Sequence, residues 1–262
     1  MSQQSSTPTY ELLYWPTIPG RGEYIRLILE ATQTPYTDIG NASSTGGKEV
    51  MAALSSDKTH DEHGNPPAFA PPMLRIKNAG PNGAPLLIYQ TPSILSYLGG
   101  KLGVAGDGSD AEKHWVLSHA LTALDLSNEA HDTHHPVAVM QYYEDQKEEA
   151  LKKSKDFRES RITKFFGFFE RVLKGNEEKG KGKYLVGDKL SYADTTLWQV
   201  VDGLKFAFPK ELAARETDFP LLMGTFYPAL KDMDSIKAYL GSDRRLQYSN
   251  GLFRHYPELD RQ

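Results

Sequence analysis

After eight polar residues the chain runs Thr9-Tyr10-Glu11-Leu12-Leu13-Tyr14-Trp15, whose β-branched and aromatic weight predicts a strand. Pro16, Pro19, Gly20 and Gly22 end it. From Glu23 the apolar period lengthens: Ile25, Ile28 and Leu29 share one face of a helix predicted to reach about Ala31. A short strand is expected at Tyr36–Ile39. Residues 40–70 carry Gly, Ser, Asn, Asp, His and Pro without a sustained period, which predicts a long mobile loop with one helical turn near Lys48–Leu54. Two apolar runs, Met73–Ile76 and Leu86–Tyr89, flank Asn78-Ala79-Gly80-Pro81-Asn82-Gly83 and predict a hairpin. A helix should follow, with Thr91 as N-cap, Pro92 at its first position, and Ile94, Leu95 and Leu98 facing inward.

Gly99 to Asp110 holds five glycines and reads as a linker. Beyond it the helical period dominates. Long amphipathic segments are predicted at 111–131, 147–173 and 191–205, with shorter pieces at 221–230 and 235–240. The expected organisation is a small α/β domain over residues 1–99, a linker over 100–110 and an all-α domain over 111–262.

Composition narrows the function classes. Hydrophobic residues make up 39% and charged residues 24%, as in an ordinary globular protein. A net charge of -4 with both signs interspersed offers no basic stripe for nucleic acid. The lysine-rich stretch Lys174–Lys183, interleaved with Glu177, Glu178 and glycines, reads as a solvated loop. There is no cysteine, which removes disulfides, thiolate metal sites and a cysteine nucleophile, and fits a reducing compartment. Met1–Pro8 lacks the apolar core of a secretory signal. No apolar run reaches the roughly 18 residues of a membrane span.

Several separated motifs resemble one family. Leu12-Leu13-Tyr14-Trp15-Pro16, then Gly20-Arg21-Gly22 and Ile25-Arg26-Leu27, look like the opening of mu-, pi- and sigma-type cytosolic glutathione transferases, the tyrosine type. Pro71-Pro72-Met73-Leu74 resembles the family's segment around its cis proline. Tyr89-Gln90-Thr91 with Ile94, Leu95 and Leu98 is similar to its Gln-Ser segment and third helix. Val186-Gly187-Asp188, with Leu190, Ser191, Ala193 and Asp194, resembles the capping box opening its core helix, and Ile236–Ser242 its last helix. The resemblance implies a thioredoxin-like N-terminal domain followed by an all-helical C-terminal domain, a cytoplasmic homodimer, glutathione as co-substrate and no metal.

The chemistry has a simple requirement. A free thiol has a pKa near 8.5, and lowering it by about two units takes about 2.7 kcal/mol of preference for the thiolate. One well-aimed hydrogen bond to an anion supplies roughly 1.5–3 kcal/mol. A phenol at a strand's C-terminal end is such a donor and stays protonated at neutral pH. Tyr14 matches the family's tyrosine in this role; Tyr10 lies on the same face but further from the strand end. For glutathione's γ-glutamyl end, the resemblance points to Gln90 and Thr91 at a helix N-terminus, to Arg21, and to Asp125 of the second domain. Lys48 is the candidate for the glycyl end.

Pro72 is expected cis, with Pro71 contacting the cysteinyl backbone; Pro71 has no N–H, so one family bond is lost. Alternatively Pro71 is the cis residue and Ala70 makes the contact. One residue more than in the family stands between Tyr14 and Gly20. Arg26 is read as a structural ion-pair partner.

The cluster His131-Asp132-Thr133-His134-His135 could hold zinc, but it offers no cysteine and lacks the second sequence cluster a structural site needs. It is read instead as closing a helix beside an electrophile pocket to which Trp15, His131, Tyr142 and Phe206 contribute, with Tyr143 and Phe208 as further candidates. Lys164–Phe169 is read as helix core. The expected function is attack of glutathione thiolate on a small apolar electrophile. The alternatives are a non-catalytic binder of glutathione or apolar ligands, and an isomerase or peroxidase on the same fold.

Overall fold

In a computed structural model, which describes residues 9–54 and 57–262, strand β1 (Tyr10–Leu13) is buried along its whole length. The polar segment Met1–Pro8, read above as carrying no signal, lies outside the described residues, as do residues 55 and 56 of the predicted loop. Helix α1 (Gly22–Ala31) follows, then β2 (Tyr36–Asp38), α2 (Ile39–Ala42) and α3 (Gly46–Ala53). The hairpin β3 (Met73–Ile76) and β4 (Leu86–Tyr89) falls where its apolar runs predict, and α4 (Thr91–Leu102) leaves it. The sheet order is β2-β1-β3-β4, with β1 parallel to β2 and antiparallel to β3, and β3 antiparallel to β4. This is a thioredoxin-like layer.

The second half is helical: α5 (Asp110–Asp132), α6 (Lys147–Asp156), α7 (Ile162–Glu178), α8 (Tyr192–Ala207), α9 (Pro209–Arg215), α10 (Tyr227–Lys231) and α11 (Asp234–Leu240). α8 is buried on nearly every side, so it is the axis around which the others pack. Its start is a capping box: the carboxylate of Asp194 accepts from Ser191 N–H and Oγ at 2.7 Å and from Leu185 N–H at 2.8 Å. Trp198 stacks on Tyr227 with ring centres 5.6 Å apart and donates Nε1–H to its carbonyl.

Several expectations change. The stretch from residue 40 contains two helices because Val50 of α3 is buried against Leu13, Ile39, Ala68 and Met73; tertiary packing overrides poor local propensity. α4 runs through Gly99 and Gly100 to Leu102. Gly99 is there for close approach, since a Cβ would stand 2.6 Å from the Tyr192 ring. The predicted loop from Lys174 is helical as far as Glu178. The segment predicted at 147–173 is two helices joined by a π turn at Phe157–Arg161. Gln90, with φ +71°, precedes α4 and its carbonyl accepts from Ile94 N–H, so it holds the cap position assigned above to Thr91.

α1 is tied to the C-terminal segment by buried charge. The Glu23 carboxylate, fully buried, accepts from Arg26 at 3.1 Å, from the Tyr239 hydroxyl at 2.6 Å and from Arg245. Arg245 also donates to Asp202, Gln199 and Tyr248. Arg26 reaches Asp38 at 2.8 Å, the structural pairing expected of it. Among the described residues no helix is long and apolar enough to cross a membrane.

Candidate functional site

Strand register assembles the site. β1 pairs with β3 at Leu13↔Met73, and β3 with β4 at Met73↔Tyr89. One residue further along, these ladders set Tyr14 beside Pro72 and Pro72 beside Gln90 at the same edge of the sheet. Past the β1–β2 ladder, which ends at Leu12↔Asp38, the first turn of α2 brings Gly40 against Tyr14. A Cβ on Gly40 would stand 2.1 Å from the Tyr14 carbonyl oxygen, so that approach needs glycine. The Pro71–Pro72 bond is cis and both prolines are buried.

Tyr14 is 5% exposed and its ring is walled by backbone. A Cβ on Gly20 would lie 2.2 Å from the phenolic oxygen, and one on Gly22 would lie 2.6 Å from the ring. The Tyr14 oxygen accepts a hydrogen bond from Arg21 N–H at 2.8 Å. That bond uses a lone pair and leaves the phenolic proton free to be donated. Burial pushes the phenol pKa above its usual value, against the Arg21 bond and the charges of Arg21 and Arg26, so the proton stays on at neutral pH. Tyr10 is buried at the far end of β1, with Tyr97 nearby.

Arg21 does not reach free into solvent: its guanidinium donates to Asn128 Oδ1 on α5 at 2.9 Å. Asn128 is the residue missed in the sequence; it lies one turn from both Asp125 and His131, and that spacing was its only signal. Thr91 is 4% exposed, and its hydroxyl is buried with no hydrogen-bond partner, an unusual state at a helix N-terminus beside Gln90. Gln90 and Asp125 are exposed. Lys48 is exposed on α3, and among the described residues no hydrogen bond or ion pair ties its side chain to this edge.

The expected electrophile pocket is only partly assembled. Trp15 is half-buried and packs between the two apolar cores. Tyr142 is 65% exposed. Phe206 stacks on Tyr248 at 4.9 Å, facing the C-terminal segment. Tyr143 and Phe208 are core residues: Tyr143 bonds Glu258 at 2.8 Å and packs on Tyr256, and Phe208 packs on Phe157. Gly251 lies over Gly20, so the chain after α11 covers this side. A groove of about 710 Å³ lies elsewhere, lined by Glu30, Tyr36, Asp38 and Arg244, and includes none of the predicted site residues.

The histidines depart from expectation in a different way. His131, His134 and His135 converge without any second sequence cluster, because the chain stays near-helical through Thr133 and brings the three rings onto one face. Their ring centres are 4.7–4.9 Å apart. Burial first, then the neighbouring His135 and Arg21, lowers the His131 pKa to about 4. Burial lowers that of His134 to about 3. Both rings are neutral at pH 7.

Comparison with known proteins agrees with the fold. Residues 131–243 match the sequence model of the glutathione S-transferase C-terminal domain. Glutathione S-transferase P 1 of Xenopus laevis is 27% identical over 241 residues, covering 91% of this chain and 94% of its own. The chain is thus similar to glutathione S-transferases along most of its length. Two solved members show the breadth of the likeness. The pi-class enzyme of Onchocerca volvulus superposes with a TM-score of 0.62 at 24% identity, over 88% of this chain and 91% of that one. The sigma-class protein of Fasciola hepatica gives 0.66 at 17% identity, over 93% and 99%.

Proposed function

We propose that the protein is a glutathione transferase in which the Tyr14 hydroxyl donates its proton to the glutathione sulfur and holds it as a thiolate. The observation that carries this reading is the 2.8 Å bond from Arg21 N–H to the Tyr14 oxygen. A phenol that already accepts from a backbone amide, beside two guanidinium groups, is a stronger donor through its remaining proton. The tripeptide would cross the sheet edge, its cysteinyl backbone at Pro71 and Pro72 and its γ-glutamyl carboxylate at Gln90, Thr91 and the N-terminus of α4. Pro71 offers only a carbonyl there, which costs about 1 kcal/mol of affinity relative to a residue with an N–H. Arg21 and Asp125 stand on the γ-glutamyl side and Lys48 on the glycyl side.

The reaction is then a nucleophilic transfer: the thiolate forms a C–S bond to an apolar electrophile, and the leaving group departs with the bonding electron pair. No metal takes part in that step. A reducing cytoplasmic setting, a homodimer and a role in detoxification go with this reading, and the absence of cysteine is consistent with the first. The test is turnover of glutathione with an aryl halide in wild type and Tyr14→Phe. The reading requires a loss of about 10²-fold or more in turnover with an unchanged melting profile. Unchanged turnover would remove Tyr14 from the chemistry.

A further inference from the structure

The histidine cluster has an arrangement that packing alone does not explain. A carbonyl oxygen can only accept, so the 3.1 Å contact of His134 Nε2 with the Leu252 carbonyl places the proton on Nε2. Nδ1 of His134 is then a bare lone pair, and it is buried with no partner. By the same argument the 2.7 Å contact of His135 Nδ1 with the Gln141 carbonyl leaves Nε2 of that ring unprotonated. His131 turns Nδ1 toward the Asp132 carboxylate at 3.6 Å, which leaves its Nε2. Each ring thus points one nitrogen outward at an oxygen acceptor and has one nitrogen left over. Outward N–H contacts of this kind orient imidazoles that ligate metals, fixing tautomer and ring plane.

The outer shell is itself held. Gln146, 5% exposed, accepts from Val137 N–H and Ala138 N–H at 3.1 Å and donates to the carbonyls of Ala138 and Gln141 at 3.0 and 3.1 Å. The Gln141 carbonyl that orients His135 is therefore fixed in place. Of the three leftover nitrogens, His134 Nδ1 is buried without a partner, and a cation bound beside it would satisfy it.

We propose that His131, His134 and His135 form a binding site for one divalent transition-metal ion of the zinc class, with a fourth position open on the half-exposed His131 side. Imidazole suits zinc, cobalt, nickel and copper over magnesium or calcium, which prefer oxygen. One ligand atom from each histidine, taken together, lies within 4.8 Å of the others. A tetrahedral site with bonds of about 2.1 Å needs edges of roughly 3.4 Å, so the three rings must draw together as the ion binds. Metal binding is read in the absence of glutathione, so its test does not depend on the transfer reaction proposed above.

The test uses the full chain, stripped with a chelator and free of glutathione, titrated with Co²⁺ alone. The expected result is one equivalent bound, with the visible absorption of four-coordinate cobalt, displaced by Zn²⁺. His131→Gln and His135→Gln should each weaken Co²⁺ binding at least about tenfold, with circular dichroism confirming that both variants fold. Since His131 is partly exposed, its variant keeps the test decisive if the second folds poorly. Absence of the absorption band in wild type overturns the proposal. So does wild-type affinity in His131→Gln, which would place the ion elsewhere, for example at His60 and His63.

Discussion

The edge of the sheet and the end of α5 lie on either side of Arg21, and they are built on opposite plans. At the sheet edge every position follows from backbone register. Tyr14, Pro72 and Gln90 are consecutive across three strands, and glycines at 20, 22 and 40 let main chain approach where side chains would collide. At the end of α5, position comes from side chains: His134 and His135 are oriented by the carbonyls of Leu252 and Gln141, and His131 faces the Asp132 carboxylate. The first plan is rigid and tolerant of surface change. The second depends on the loop after α5 and on the chain's C-terminal segment.

The largest expected effect comes from the buried charges that tie α1 to the C-terminal segment. Replacing Arg245 with Leu leaves Glu23 with one cation fewer and Asp202 without its guanidinium, and should cost about 3–5 kcal/mol in urea denaturation. A smaller cost would mean that these buried charges do not hold α1 to the C-terminal segment. Gly22→Ala comes next. It should lower conjugation turnover on the order of 10²-fold by displacing Tyr14 by about 1 Å, with a stability loss of about 1–3 kcal/mol. Gly175→Ala, where a Cβ meets nothing within 4 Å, is the control and should be neutral or slightly stabilising.

Thr91→Val sharpens the comparison by moving two quantities in opposite directions. Removing an unpartnered buried hydroxyl should stabilise the free protein by about 1 kcal/mol, while glutathione affinity, read by calorimetry, falls about fivefold. A loss in both would mean Thr91 is only structural. The smallest effect concerns Glu11. Its carboxyl is 10% exposed and lies below the ordinary 4.5, because bonds from Arg75 and Lys77 outweigh the burial that would raise it. The native state therefore holds that proton less tightly than the unfolded chain does. The stabilisation is full above the unfolded value and is lost as pH falls through the folded one. Glu11→Gln should cost about 1 kcal/mol at pH 7 and little at pH 3, measured by denaturation at both pH values.

The two regions also differ in how readable they were. Strands β1, β3 and β4 and the Tyr14 position follow from short apolar runs bounded by proline and glycine, which are local signals. The capping box at Ser191 and Asp194 is equally local. What escaped the sequence depends on contacts far along the chain. α3 is held by Val50, which packs in one cluster with Leu13, Ile39, Ala68 and Met73. Gly99, read as a break, is a helix contact with Tyr192. Tyr143 and Phe208, aromatic and near a presumed pocket, went to the core because Tyr256 and Phe157 face them. The histidine convergence needed the turn at Thr133, and the Arg21–Asn128 bond spans 107 residues.

The most direct test is the ionisation of the bound thiol, followed by the ultraviolet absorbance of the thiolate as pH is raised over the binary complex with glutathione. The account predicts a wild-type midpoint about two units below the free value near 8.5 and a return toward that value in Tyr14→Phe. A midpoint near 8.5 in wild type, or the same depressed midpoint in both proteins, would contradict it.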